Sequence, residues 1–367
     1  MRIAQIAPLI ERVPPKRYGG TERVIHALTE ELVKRGHEVT LFASGDSITS
    51  AKLVSVYPQA LREANIKDLY GANVWQMLNI GMAYMRQDEF DVIHDHTGFY
   101  SLPAANLSRA PVVVTIHGAL DLSNRHIYSA LGKRVSLVTV SKSQAMPAPN
   151  LNYAGTVYNG LSMENYPFSG KDAGYLLVVG RFQAEKGIHL AVQAARNLNM
   201  PLVIAAKLEP LHMNYFAEHI KPFLSDRIRW VGEVGQDERN DLMSKALCLL
   251  HPVTWREPFG LTLIEAMACG APVVGFRRGS IPEVIADGKT GYVVEDVPEM
   301  VEAVKRVGKI KREDCRRYSL ETFSAARMAD GYEAIYERVV KKKRNREVKL
   351  ESAKSAEQTG RADLISN

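Results

Sequence analysis

The chain has 367 residues, 46% of them hydrophobic and 24% charged, which excludes a disordered or fibrous protein and provides for two cores rather than one. The formal charge of +6 would suit a nucleic-acid partner if it lay on a folded surface, but from Lys341 onward eight Lys/Arg stand against four Asp/Glu, leaving about +2 for everything before. No nucleic acid is therefore expected as a partner. The basic stretch, residues 341–367, has little to bury and is expected to be a disordered tail; its charge suits peripheral contact with anionic lipid headgroups.

The opening segment, MRIAQIAPLIERVPP, carries one basic residue before a short, interrupted apolar run, and reads as a buried strand rather than a signal peptide. No apolar stretch reaches membrane-spanning length. Cys248, Cys269 and Cys315 form no CxxC motif and cannot all pair, so a reduced, cytoplasmic protein is expected.

In chain order, the strand candidates of the first half are RIAQIA, EVTLFAS, DVIHDH, PVVVTIHG, LVTVSKS and TVYNG. Between the first two lies an amphipathic helix from Thr21 to Arg35, with Val24, Leu28 and Leu32 on one face and Gly36 as its C-cap. After the turn-rich NGLSMENYPFSGKDAG a second series follows: YLLVVGR, PLVIAAK, IRWVGE, CLLHPV, PVVGF and GYVV. Helices are expected from Asp237 to Ala246, Leu261 to Ala268 and Leu320 to Val340. Short β-branched runs alternating with helices predict an α/β protein of two doubly wound parallel-sheet (Rossmann-like) domains, residues 1–163 and 164–320, facing a central cleft. Residues 321–340 are expected to form a helix packing back across both domains.

The segment EPFGLTLIEAMACGAPVVGF carries the strongest chemistry. Gly260 lets a ligand approach the backbone, and the N–H groups that follow lie open at a helix start, which suits a diphosphate. Glu257 and Glu265 bracket that anion site and suit hydroxyl groups, although Glu265 alone could be an ordinary helix-face residue. In VVGRFQAEKG, Arg181 and Lys186 offer cations beside a strand end. The turn Gly19-Gly20 joins a strand to a helix without the GxGxxG fingerprint, which weakens a dinucleotide reading. His94 and His96 share a strand face, as a metal pair or structural hydrogen-bonders, and His117 at another strand end is the better cleft candidate.

Together these segments resemble glycosyltransferase family 4, the retaining enzymes of GT-B fold. EPFGLTLIEAMACGAPVVG has that family's two glutamates in order and spacing, and GSIPEVIADGKTGYVV, GRFQAEKG, YGGTERV, RGHEVTLFA and TIHG continue the likeness over about residues 1 to 340. Ser141 and Asn159-Gly160 also fall in family order. The resemblance implies that Arg181 and Lys186 bind the donor diphosphate, with backbone N–H groups of Leu261 and Thr262. It implies that Glu257, helped by Phe259 and Gly260, holds the transferred sugar beside His117, and that Glu265 holds the ribose. Val231 and its neighbours would border the base, and Gly19-Gly20 would let the first domain approach the phosphate.

No metal and no cofactor are expected, since the nucleotide-sugar is a substrate and the two cations with a helix terminus serve the leaving diphosphate. The expected partners are a nucleotide-diphosphate sugar, most readily UDP-glucose, and an unidentified hydroxyl acceptor. Lys207 stands where the family commonly shows glycine, which puts donor choice in doubt. The alternatives are a GT-B sugar-nucleotide epimerase or phosphorylase, a catalytically silent nucleotide-sugar-binding protein, and an NAD-dependent oxidoreductase.

Overall fold

A computed structural model describes residues 1–365 except 18, 65, 67 and 68, and beyond residue 345 mainly the backbone. The short apolar runs become strands buried on both faces, which is what a parallel sheet covered by helices requires. The first sheet contains β1 (Arg2–Ile6), β2 (Glu38–Phe42), β3 (Lys52–Val54), β4 (Val92–Asp95), β5 (Val112–Ile116), β6 (Ser136–Thr139) and β7 (Tyr153–Thr156). Their order is β3-β2-β1-β4-β5-β6-β7. The second contains β8 (Leu176–Arg181), β9 (Leu202–Lys207), β10 (Ile228–Gly232), β11 (Cys248–His251), β12 (Val273–Phe276) and β13 (Gly291–Val294), in the order β10-β9-β8-β11-β12-β13. Each pair of neighbours is parallel. The winding reverses between β1 and β4 and between β8 and β11, so each sheet opens a crevice at the carboxyl ends of those strands.

Three expectations are corrected. TVYNG is not a strand: pairing with β6 takes Tyr153–Thr156, and after Val157 donates to the Thr139 carbonyl at 2.9 Å the chain leaves the sheet. β3 went unnoticed because three residues carry no readable alternation. The helix expected over 321–340 is interrupted, one helix ending at Thr322 (Arg312–Thr322) and the next running Ala325–Ile365. The stretch expected to be a disordered tail continues that last helix as far as Ile365. It is rich in Lys, Glu and Ala and contains no proline, so helix propensity favours continuing the helix.

At the break, Leu161 N–H donates to the Phe323 carbonyl and Ala325 N–H to the Leu161 carbonyl, each at 3.0 Å. Beyond it the last helix returns to the first domain. Tyr332 and Tyr336 are fully buried, the Tyr336 hydroxyl 2.6 Å from His94 Nδ1 and the Tyr332 hydroxyl 2.9 Å from Thr115 Oγ1. Arg35, just past the helix Gly20–Lys34, pairs with Asp330 at 2.8 Å. The three cysteines are free and buried. Among the described residues, no helix is long and apolar enough to cross a membrane.

Candidate active site

The carboxyl ends of both sheets open on one cleft of about 430 Å³. It brings together Gly19, Gly20 and His117 from the first domain with Arg181, Lys186, Glu257, Phe259, Gly260, Leu261, Thr262 and Glu265 from the second. Val231 is not among them. A register shift between Trp230 and Gly232 turns the end of β10, leaving Val231 38% exposed and placing Glu233 and Val234 on the wall.

The loop after β11 holds Glu257, then enters the helix Leu261–Ala268 through Gly260 at φ 83°. A Cβ there would lie 2.9 Å from Leu263 Cδ1, so the tight entry that bares the helix's first N–H groups needs glycine. Glu257 is nearly buried, and its Oε2 accepts from Lys186 Nζ and from Trp255 Nε1, each at 2.8 Å. Burial works to raise its pKa, but Lys186, His251 and the Trp255 hydrogen bond together outweigh that and hold the carboxylate below its ordinary range. Lys186 also lies 4.6 Å from the centroid of the Trp255 ring. The cation expected at the diphosphate is thus shared with the carboxylate expected at the sugar, and Glu257 Oε1 is left to other donors.

Glu265 is buried to 1% exposure, and its Oε1 accepts from Arg23 Nη2 and from Arg239 Nη2, the latter at 3.0 Å. The two guanidinium groups outweigh burial and keep it ionised. Its Oε2 is buried without a hydrogen-bond partner. An unmet carboxylate oxygen on the cleft wall suits a hydroxyl donor from a ligand. Arg23 comes from the first domain, so this pair joins the two halves; its separation of 242 residues from Glu265 gives no local signal in the sequence.

Lys207 does reach the cleft, in register with Arg181 across β8 and β9. Glu209 lies between them, 3.5 Å from Lys207 Nζ and 3.9 Å from Arg181 Nη1. The GSIPEV segment has a supporting part that its sequence did not reveal. Ser280 N–H donates to the Glu257 carbonyl at 2.9 Å. Glu283 accepts from the backbone N–H groups of Lys142 and Ser143 and from the Tyr158 hydroxyl, at 2.7 to 3.0 Å, across the domain interface.

The histidines form a relay rather than a metal site. His94 is occupied at Nδ1 by Tyr336 and at Nε2 by Thr115. His96 Nε2 lies 2.6 Å from Gln5 Oε1, and His96 Nδ1 lies 2.9 Å from His117 Nε2. A carbonyl oxygen only accepts, so His96 donates through Nε2, accepts at Nδ1, and leaves His117 with Nδ1 as an acceptor in the cleft. Among the described residues, no three His, Cys, Asp or Glu side chains form a group able to hold a metal.

Burial keeps all three imidazoles neutral, His117 with a pKa lowered to about 4 and the other two well below their ordinary value of 6.5. Their folded values lie below the unfolded one, so stability is full above about pH 6.5 and falls as the unfolded chain takes up protons below it. Unfolding free energies from urea titrations at pH 7.5 and 5.5 should therefore differ, by up to about 1.4 kcal/mol per pH unit for each imidazole. The decline should shrink in His96→Gln.

Two doubly wound domains facing a cleft of this composition define a GT-B glycosyltransferase. Residues 18–146 match the family described as Glycosyltransferase Family 4, and residues 165–322 the one described as Glycosyl transferases group 1. The chain belongs to the family 4 glycosyltransferases. Over 350 residues it is 27% identical to a protein of Mycobacterium tuberculosis named glycogen synthase, covering 80% of this chain and 83% of that relative. Sucrose-phosphate synthase from Thermosynechococcus elongatus shares the fold with a TM-score of 0.75 at 18% identity, over 92% of this chain and 98% of the other. Anabaena HepE in complex with UDP and glucose does so with a TM-score of 0.70 at 17% identity, over 92% and 100%.

Proposed function

We propose that this glycosyltransferase moves glucose from UDP-glucose to a hydroxyl acceptor, with retention of configuration and without a metal ion. The observation that carries the reading is the pairing of an open helix start at Leu261 and Thr262 with Glu257 and Glu265 on either side, each with one oxygen unengaged among the described residues. The diphosphate lies on the N–H groups, Glu265 Oε2 takes a ribose hydroxyl, and Glu257 with His117 Nδ1 takes hydroxyls of the sugar. The neighbour HepE holds UDP and glucose, which supports this choice of donor.

As the glycosidic bond loosens, negative charge grows on the diphosphate, and Arg181, Lys186 and the helix terminus stabilise it without reorganisation. Glu257 is tied through Oε2 to Lys186 and Trp255, which suits holding the sugar more than attacking it. The acceptor oxygen then attacks on the face the diphosphate leaves, and a phosphate oxygen takes its proton. Thermal shifts with UDP, GDP and ADP, beside release of nucleoside diphosphate from each glucose donor, test this. A larger shift and faster release with GDP or ADP would overturn the choice of base, and glucose released with inverted configuration would overturn retention.

The reading includes a cytoplasmic enzyme that meets anionic membrane surfaces through the basic end of its last helix, where Lys341, Lys342 and Arg344 are exposed. A chain ending at Lys341 should fold normally and keep turnover with soluble donor and acceptor, while losing binding to vesicles that contain phosphatidylglycerol. Unchanged vesicle binding would remove the membrane part of the reading.

A further inference from the structure

Glu22 is the cleft carboxyl that these roles leave unused. It lies in the first turn of the helix Gly20–Lys34, is 6% exposed, and lines the cleft from the first domain. A Cβ on Gly19 would stand 3.0 Å from Glu22 Oε2, and one on Gly20 would stand 3.3 Å from Leu261 Cδ1. The carboxyl and the Gly-Gly turn therefore sit over the helix start assigned to the diphosphate. Neighbouring cleft carboxylates have cations of their own: Glu257 has Lys186, Glu265 has Arg23 and Arg239, and Glu11 has Arg62. Among the described residues Glu22 has no ion-pair partner, so it is a buried acid directed at an anion site.

We propose that Glu22 is a catalytic residue acting as a neutral carboxylic acid, its O–H donating a hydrogen bond to a non-bridging oxygen of the donor's diphosphate. The proposal rests on the reading of the cleft as a nucleotide-sugar site. An ionised carboxylate in this place would repel the diphosphate, whereas the neutral acid adds a donor from the side opposite the Leu261 and Thr262 N–H groups. The proton stays on Glu22 and no bond to it forms or breaks. The hydrogen bond strengthens as charge grows on the leaving group.

The surroundings favour the neutral form. Burial raises the Glu22 pKa to about 7, outweighing the hydrogen bond from its own backbone N–H that works to lower it; Glu11 adds to the rise and Arg62 opposes it. The other charged groups facing it from the cleft walls are largely engaged: Arg23 by Glu265, Lys186 by Glu257, and Arg181 and Lys207 by Glu209. His117 is neutral, and Arg17 on the preceding loop is exposed to solvent. A bound diphosphate adds negative charge and raises the Glu22 pKa further.

The test is calorimetry of the full chain with UDP alone, from about pH 6 to about pH 9, in wild type and Glu22→Gln. Glutamine keeps a donor of the same shape and does not ionise, and the ligand's own ionisation is common to both proteins. The ratio of wild-type to Glu22→Gln affinity should fall with pH, approaching about tenfold per pH unit above the Glu22 pKa. A ratio that stays flat overturns the proposal. In turnover, Glu22→Ala should lose about tenfold or more, and Glu22→Gln should recover much of that loss. A Glu22→Gln enzyme as slow as Glu22→Ala, with a wild-type rate that climbs with pH, would make Glu22 a base and overturn the proposal. If UDP, GDP and ADP all fail to bind wild type, the nucleotide reading falls and the proposal falls with it.

Discussion

Glu265→Gln should lower folding stability by about 3–5 kcal/mol, the cost of removing one partner from a buried ion pair. The carboxylate is 1% exposed, and its Oε1 serves two guanidinium groups, Arg23 and Arg239, that are each about 9% exposed. Neutralising it leaves two buried cations with no counter-charge, one from each domain. The same substitution weakens the acceptor proposed for the ribose, so UDP affinity should fall by about tenfold to a hundredfold, alike for UDP and UDP-glucose. Urea unfolding reads the first quantity and calorimetry with UDP the second. A variant of wild-type stability would show that Arg23 and Arg239 find water or another partner when the charge is gone. Wild-type UDP affinity would remove Glu265 from the ribose.

Glu257→Gln should fail differently, with turnover lowered about tenfold to a hundredfold and UDP affinity unchanged or raised. UDP carries no sugar for Glu257 to hold. The substitution also frees Lys186 from the 2.8 Å pair with Glu257, so the ammonium is more available to the diphosphate. Kinetics with UDP-glucose beside calorimetry with UDP separates the two effects. A large loss of UDP affinity would place Glu257 against the diphosphate instead of the sugar, and wild-type turnover would take it out of the reaction.

What could be read from the sequence was what neighbouring residues determine. The helix Leu261–Ala268 has the bounds expected for it, because Pro258 and Gly260 shape its entry and the apolar run after them fixes its buried face. The six strands of the second sheet fell on their apolar runs for the same reason. Glu257 and Glu265 stood out through their spacing around an anion site. The partners of those glutamates did not stand out. Arg23 reaches Glu265 across 242 residues and Gln5 reaches His96 across 91, and neither side chain announces its partner locally. Val231 was placed by the family resemblance, and the register shift in β10 leaves it off the cleft wall, where Glu233 and Val234 stand. The break at Phe323 escaped notice because its cause is the bond to Leu161, half the chain away, and not a proline or glycine of its own.

That bond has a mechanical meaning. The polypeptide passes between the domains at Leu161 and returns at Phe323–Ala325, and the two passages are clasped to each other by a pair of 3.0 Å hydrogen bonds. One tether would let the halves swivel in every direction, but two laid side by side leave one soft rotation, as a door has on its pins. Opening and shutting the cleft then follow one track. A closing stroke on that track would bring Gly20 back over Leu261, so the approach of the first domain to the second would be set by the pin, away from the cleft itself.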